Sequence, residues 1–151
     1  MMNKNKLDYS QLISQKSIDH FIDKHQLPED FETLIFKYYI PLISWVNQRV
    51  NTYSPYIFGI NGPIGSGKST LANFIKSSMH SYLNGEVVAL SLDDFYLTKK
   101  ERVRLSNAVH PLLITRGVPG THNINMLLDC LNRLKKLKAG EKIMLPRFNK
   151  M

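Results

Sequence analysis

Gly62-Pro63-Ile64-Gly65-Ser66-Gly67-Lys68-Ser69 is the stretch of sequence that decides the fold. Its spacing of glycines, lysine and serine is the P-loop pattern, in which a glycine-rich turn points backbone N–H groups at phosphate oxygens. Side chains at the glycine positions would obstruct that approach. We therefore predict that the phosphates of ATP or GTP bind to this stretch and to Thr70, which follows it.

Two side chains of the loop have expected roles. Lys68 places a positive charge on the β and γ phosphates, and Ser69 offers a hydroxyl to Mg²⁺. The loop follows a short apolar run at 56–60 and precedes apolar residues at helical spacing. Because strand, glycine turn and helix are the context that the motif needs, we favour a P-loop over an ordinary glycine-rich turn.

The chain changes character near Pro55. Residues 1–54 are predicted to form an N-terminal helical extension that packs on the core, with helices over 9–25 and 30–50. Pro41 is expected to kink or divide the second helix. An apolar stripe on that helix is predicted to pack in the core, and it consists of Leu34, Ile35, Tyr38, Leu42, Trp45 and Val46.

Residues 55–151 are predicted to form the N-terminal part of a P-loop NTPase-type α/β domain, with a parallel sheet and flanking helices. The apolar runs at 56–60, 87–92 and 142–146 are the candidate strands. Helical periodicity covers 68–83, 98–107 and 123–138. In the last of these helices one apolar face is expected to contain Ile124, Leu127, Leu128, Leu131 and Leu134.

Composition narrows the function classes. The 151 residues carry 20 Lys and Arg against 12 Asp and Glu, a net charge of +8, which favours anionic partners such as nucleotides. Basic runs at 99–104 and 133–138 are spaced as solvated helix faces, and without a nucleic-acid-binding motif we do not expect nucleic acid as a partner.

Cys130 is the only cysteine, which excludes an internal disulfide. With neither a secretion signal nor a membrane span visible, we predict a cytoplasmic protein.

Two adjacent carboxylates follow the second candidate strand, in Asp93-Asp94-Phe95-Tyr96. Ligands of open α/β sheets bind at the C-terminal ends of the strands, so these carboxylates are candidate site residues. A carboxylate there can accept the proton of an attacking hydroxyl or hold Mg²⁺. Alternatively, one of them only caps a turn.

Several segments together resemble the D-glycerate 3-kinase family of P-loop kinases. They are the P-loop, Ser91–Thr98, His110-Pro111-Leu112-Leu113, Arg116-Gly117-Val118-Pro119-Gly120-Thr121-His122 and Pro146-Arg147-Phe148, within about residues 55–150. More distantly, the chain is similar to uridine kinase, phosphoribulokinase and bacterial pantothenate kinase. The resemblance implies an ATP-dependent kinase that uses Mg²⁺ and phosphorylates a hydroxyl, that of D-glycerate in the nearer family.

The resemblance also implies roles for residues. Asp93 would be the catalytic base and a metal ligand, assisted by Lys68 and by Asp94 as a neighbour of the metal or substrate. A small anionic acceptor would contact Tyr96, Arg116, His122 and Arg147, where Arg116 can bind a carboxylate in a two-pronged geometry.

The chain departs from this family in two respects. Asn123 and Asn149 stand where the family usually carries Asp; Asn can cap a helix but cannot act as a base, and it is a poorer Mg²⁺ ligand. The sequence stops at Met151, where relatives continue, so we expect an incomplete kinase domain whose exposed sheet edge is covered by a further segment or another copy. A kinase of a nucleoside, pantothenate or a sugar phosphate, and a nucleotide-binding module without catalysis, are the alternatives.

Overall fold

The computed structural model describes residues 13–50, 55–80 and 86–148. In these ranges the α-helices are α1 (Gln15–Lys24), α2 (Phe31–Leu34), α3 (Ile40–Asn47), α4 (Lys68–His80), α5 (Lys99–Ala108) and α6 (Ile124–Lys136). A π-helical segment, Ile35–Tyr39, joins α2 to α3, and 3-10 turns occupy Leu92–Phe95 and Pro111–Ile114. Within the described ranges no helix combines the length and apolar character that crossing a bilayer requires.

The chain divides into two compact units, Met1–Ala89 and Leu90–Met151. The first unit contains the predicted helical extension together with the P-loop and α4. The division therefore falls after the P-loop, and the domain boundary between residues 54 and 55 stays a prediction. The core of the first unit contains Ile18, Phe21, Ile35, Ile40, Ile43, Val46, Phe74, Ile75 and Met79.

Pro41 interrupts the second predicted helix, as expected, and the interruption takes the form of the π-helical segment. Proline has no N–H to donate to the carbonyl of Lys37. The amide of Ile40 donates instead to the carbonyl of Ile35, five residues earlier. This wider turn puts Ile35 and Ile40 on the same face, and their exposed fractions are 0% and 1%.

The wider turn also changes which residues of the predicted apolar stripe are buried. Ile35 and Val46 lie in the core, but the prediction was wrong for Tyr38 and Trp45, which are 56% and 44% exposed. A regular period of 3.6 residues does not hold across a π-helical turn, because one turn contains an extra residue. At Trp45, the Arg49 guanidinium covers the ring at 3.8 Å from its centroid.

In the second unit, side-chain caps define where helices α5 and α6 begin. Thr98 and Glu101 form a capping box at the start of α5. Asn123 caps α6 by accepting a hydrogen bond from the Met126 amide at 3.0 Å, which confirms the predicted cap. Cys130 is buried on α6. On the predicted apolar face of this helix, however, Ile124 and Leu128 are both 52% exposed.

The predicted parallel sheet does not appear in the described residues. The segments at 56–60, 87–91 and 142–146 are irregular, and Leu92 begins a 3-10 turn. An isolated antiparallel bridge pairs Tyr96 with His122. Parallel strands need neighbouring strands on both sides and helices that cover the sheet, and a sheet of two or three short strands is only marginally stable alone. The sheet and the missing C-terminal part stay predictions, while residues 9–12 and Asn149 lie outside the described ranges.

Substituting Phe74 tests the core that supports α4. Phe74 is 1% exposed, and its ring packs edge-on against Phe21 at 4.9 Å between centroids. We expect Phe74→Ala to lower the free energy of unfolding by about 3–5 kcal/mol, measured by urea denaturation. Phe36→Ala is the control, because Phe36 is 45% exposed. Equal losses in the two variants would contradict the assigned core.

Candidate functional site

The phosphate loop has the backbone geometry that the motif requires. Gly65 and Gly67 have φ angles of 78° and 79°, in the left-handed region that favours glycine. At Gly62 an added Cβ would lie 2.9 Å from the Ser66 side-chain oxygen. Helix α4 begins at Lys68, directly after the loop, so its unpaired amides and positive dipole end lie there. The residues present therefore fit a bound phosphate group.

Lys68 is half-buried, and its ammonium group donates a hydrogen bond to the Pro63 carbonyl at 2.6 Å. Because a carbonyl group carries no net charge, this bond does not neutralise the positive charge of Lys68. Ser69 is exposed at the first turn of α4, as its expected role toward Mg²⁺ requires.

A pocket of about 290 Å³ adjoins the phosphate loop within the first unit. The loop contributes Ser66–Lys68, and the preceding segment contributes Ile60 and Asn61. The remaining lining comes from the helices, namely Leu34, Tyr38, Tyr39 and Leu71. The helical extension therefore forms part of the surroundings of the phosphate loop, which sequence reasoning missed because it assigned the whole apolar stripe to the core.

In the second unit, Asp94 is held by two groups from near the end of the described chain. The Arg147 guanidinium forms an ion pair with one carboxylate oxygen at 2.8 Å, and the Phe148 amide donates to the other oxygen at 3.2 Å. The Asp94 side chain is only 10% exposed. Both of its oxygens are thus engaged within the protein, in a contact that sequence reasoning did not foresee.

Asp93 and Tyr96 belong to one hydrogen-bonded group. Burial raises the pKa of the Tyr96 hydroxyl, and the charge of Asp93 and its hydrogen bond with Tyr96 raise the pKa further. Arg116 and Arg102 act in the opposite direction. The neutral phenol therefore remains a hydrogen-bond donor to the Asp93 carboxylate at neutral pH.

The Tyr96 ring is fixed by two neighbouring rings. His122 stacks on it with 4.2 Å between centroids, and Phe148 meets it edge-on at 5.4 Å. Backbone contacts join the same two segments, because the isolated bridge pairs Tyr96 with His122 and the Asn123 amide donates to the Phe95 carbonyl at 2.7 Å. Four of the predicted residues, Asp93, Asp94, Tyr96 and His122, are therefore brought together with Phe148, and we call these five residues the Tyr96 cluster.

Arginines surround the Tyr96 cluster. The guanidinium carbons of Arg116 and Arg102 lie 5.6 Å and 5.9 Å from the centroid of the Phe148 ring. Arg116 is exposed, and so is Arg147, whose side chain is 68% exposed. Both predicted acceptor-binding arginines thus lie at an accessible surface of the second unit, where a small anion can reach them.

Arg102 is a site-supporting residue that sequence reasoning missed. It lies in a charge run that was predicted to be a solvated helix face, yet it is 7% exposed. Its guanidinium donates to the carbonyls of Leu97 at 2.5 Å and Ile114 at 3.2 Å. It therefore ties the segment after Tyr96 to the segment before Arg116. The sequence contains little indication that Arg102 is buried, because Arg102 lies in the same basic run as Arg104, which is exposed.

The described ranges contain no cluster of three or more His, Cys, Asp or Glu side chains that could hold a metal ion. Mg²⁺ commonly uses only one or two protein ligands together with water and substrate phosphates. Ser69 in the first unit and Asp93 in the second remain predicted ligands, and each offers the oxygen donor that Mg²⁺ prefers.

Residues 37–114, just over half of the chain, match the KAP family P-loop domain. The chain belongs to the KAP family of P-loop domains. This match confirms the predicted P-loop NTPase-type fold. The KAP domain found here also contains Asp93, Asp94 and Tyr96.

Relatives of this KAP-family chain are named as kinases. Uncharacterized kinase mug58 of Schizosaccharomyces pombe is 44% identical over 98 residues, covering 64% of this chain and 35% of that protein. Probable ATP-dependent kinase TDA10 of Saccharomyces cerevisiae is 29% identical over 150 residues, which cover 95% of this chain and 45% of that protein. Uridine kinase-like protein 5 of Arabidopsis thaliana is 32% identical over 97 residues, which cover 63% of this chain and 18% of that protein.

The solved structure of the YGR205w protein has the same fold over most of the chain. Its TM-score is 0.56 at 31% sequence identity, and the match covers 78% of this chain and 41% of that one. These findings place the KAP-family chain in the P-loop kinase superfamily. It spans less than half the length of each of these proteins.

Replacing Arg102 tests its role in supporting the site. Arg102→Met leaves the carbonyls of Leu97 and Ile114 without their charged donor, at a cost of about 1.5–3 kcal/mol. We therefore expect amide hydrogens in residues 109–121 to exchange roughly ten- to a hundredfold faster, as measured by mass spectrometry. Arg104→Met, which alters an exposed arginine of the same helix, should leave the exchange unchanged. Equal rates in the two variants would refute this role.

Proposed function

We propose that this chain is the nucleotide-binding part of an ATP-dependent kinase that transfers a phosphoryl group to the hydroxyl of a small anionic molecule. The observation that carries the proposal is the phosphate loop, in which left-handed Gly65 and Gly67 precede a helix that begins at Lys68. The names of the relatives support kinase chemistry, and the name of TDA10 supports ATP as the nucleotide.

In the proposed reaction, bound ATP with Mg²⁺ supplies the phosphoryl group. The loop amides and Lys68 hold its phosphates and neutralise their charge, which is the main protein contribution to phosphoryl transfer. On binding, Lys68 exchanges its bond with the Pro63 carbonyl for a stronger charge-assisted bond to phosphate. Ser69 supplies a hydroxyl ligand for Mg²⁺.

Asp93 is the proposed base, which takes the proton of the attacking hydroxyl. The Tyr96 hydroxyl, which hydrogen-bonds to Asp93, holds the carboxylate in one orientation. Asp94 has a different proposed role: with both oxygens engaged by Arg147 and Phe148, it positions the Tyr96 cluster. This refines the earlier expectation that Asp94 assists the metal or substrate directly.

D-glycerate is the acceptor that we favour within this proposal. It is a small carboxylate, and the exposed guanidinium of Arg116 at the Tyr96 cluster suits such an anion, while Arg147 is exposed but already forms an ion pair with Asp94. The support is the residue pattern of Arg116–His122 together with this charge. A nucleoside acceptor is the main competitor, because one relative is a uridine kinase-like protein. Screening acceptors with ATP as donor separates the two.

Lys68→Ala tests the nucleotide site. We expect ATP affinity to fall below detection in titration calorimetry, because the variant loses the point charge on the phosphates. Circular dichroism should remain unchanged, since Lys68 acts on the ligand. Lys76→Ala, which alters an exposed lysine on the same helix, is the control and should bind ATP normally. Normal ATP affinity in Lys68→Ala would exclude the phosphate-loop assignment.

Asp93→Asn tests the base, and the assay requires the kinase at the full length of its gene product. The substitution keeps the size of the side chain but removes the base, so turnover should fall by roughly two to four orders of magnitude. ATP affinity should hardly change. Asp94→Asn is the comparison and should have the smaller effect on turnover.

Three results would change this assignment. Near-normal turnover in Asp93→Asn would rule Asp93 out as the base. A large loss of Mg²⁺-ATP affinity would make it a metal ligand instead. Binding of ATP by the unmodified protein without turnover of any acceptor would favour a nucleotide-binding module.

A further inference from the structure

The pocket beside the phosphate loop has a wall that the proposed phosphate contacts do not use. Tyr38 and Tyr39 belong to this wall, and both come from the π-helical segment. π-helical turns often occur at functional sites, because they re-aim side chains that a regular helix would place elsewhere. This turn buries Ile35 and Ile40 and leaves two adjacent tyrosines lining the pocket.

Tyr39 is held in a fixed position beside the loop. Its ring packs on Phe31 at 5.7 Å and on Phe74 at 5.3 Å between centroids. Its hydroxyl lies 4.0 Å from the place where a Cβ on Gly67 would stand. The pocket is therefore continuous with the phosphate loop, since a fixed aromatic residue and a loop glycine form adjoining parts of its lining.

Tyr38 offers a different surface. It is 56% exposed although it lines the pocket, and the Lys37 ammonium lies 5.3 Å from its ring centroid. An exposed aromatic ring beside a phosphate site is suited to stacking on a nucleobase, because every nucleobase has a planar π face. The cation of Lys37 adds to the positive charge beside a nucleotide.

The rest of the lining has the composition of a small-molecule site. Leu34, Ile60 and Leu71 are apolar, and Asn61 contributes one polar side chain. Pockets for small molecules are mainly apolar and aromatic with a few polar groups, and they start at about 300 Å³. At about 290 Å³, this pocket lies at the lower limit of that range.

We propose that this pocket is the subsite for the base and ribose of the nucleotide whose phosphates bind at the loop, with Tyr38 stacking on the base. The occupant follows from continuity, because Ser66–Lys68 belong both to the pocket and to the phosphate loop. The proposal rests on nucleotide binding at that loop. It makes the N-terminal helical segment a part of the ligand site rather than a support for it.

The test compares two ligands that differ only in the nucleoside, Mg²⁺-ATP and Mg²⁺-tripolyphosphate, by titration calorimetry. Tyr38→Ala should weaken ATP binding about tenfold or more, because stacking is lost, and should leave tripolyphosphate binding unchanged. Tyr38→Phe keeps the ring and should bind ATP within about twofold of the unmodified protein. Phe36→Ala, an exposed aromatic residue of the same segment outside the pocket lining, should bind both ligands normally.

The outcomes separate this subsite from the phosphate loop. Equal affinity of the unmodified protein for ATP and tripolyphosphate would overturn the subsite and leave the loop in place. Unchanged ATP affinity in Tyr38→Ala, or an equal loss for both ligands, would also overturn it. Failure of the unmodified protein to bind either ligand would overturn the phosphate-loop proposal as well. Because Tyr38 is exposed, Tyr38→Ala should fold normally, which circular dichroism checks.

Discussion

The amide of Ile40 donates to a carbonyl five residues back, and the next residue is a proline that has no amide to donate. The arrangement of the first unit depends on this pair of facts. The wider turn aligns Ile35 with Ile40, and both are buried in the core that also contains Phe74 of α4. Since α4 begins at Lys68, the packing that starts with the helical extension also fixes the helix start that a phosphate needs.

The second unit depends on a different kind of interaction, namely polar groups that join distant segments. Asp94 binds Arg147 across 53 positions of sequence. Arg102 binds the carbonyls of Leu97 and Ile114, which joins the segment after Tyr96 to the segment before Arg116. Buried charge is costly unless it is well bonded, and both the nearly buried Asp94 carboxylate and the buried Arg102 guanidinium have such bonds.

The sequence predicted the features that arise from local chemistry. The phosphate loop, the starts of α4, α5 and α6 to within one residue and the Asn123 cap all depend on neighbours within four positions, and the structure contains them. It did not reveal features that depend on distant partners. Arg102 looked like its solvated neighbour Arg104, and Tyr38 looked like a core residue, because a one-residue change of helical phase cannot be read from apolar spacing alone. The predicted strands require pairing partners, and the described residues supply none.

Burial of Cys130 gives the second unit an internal reporter. It is the only sulfhydryl of the chain, and it lies on α6 with 5% of its surface exposed. An alkylating reagent meets the thiolate only when Cys130 becomes exposed, because buried thiols are inert. The rate of alkylation in native conditions therefore measures how often the surroundings of Cys130 open, without any engineered label.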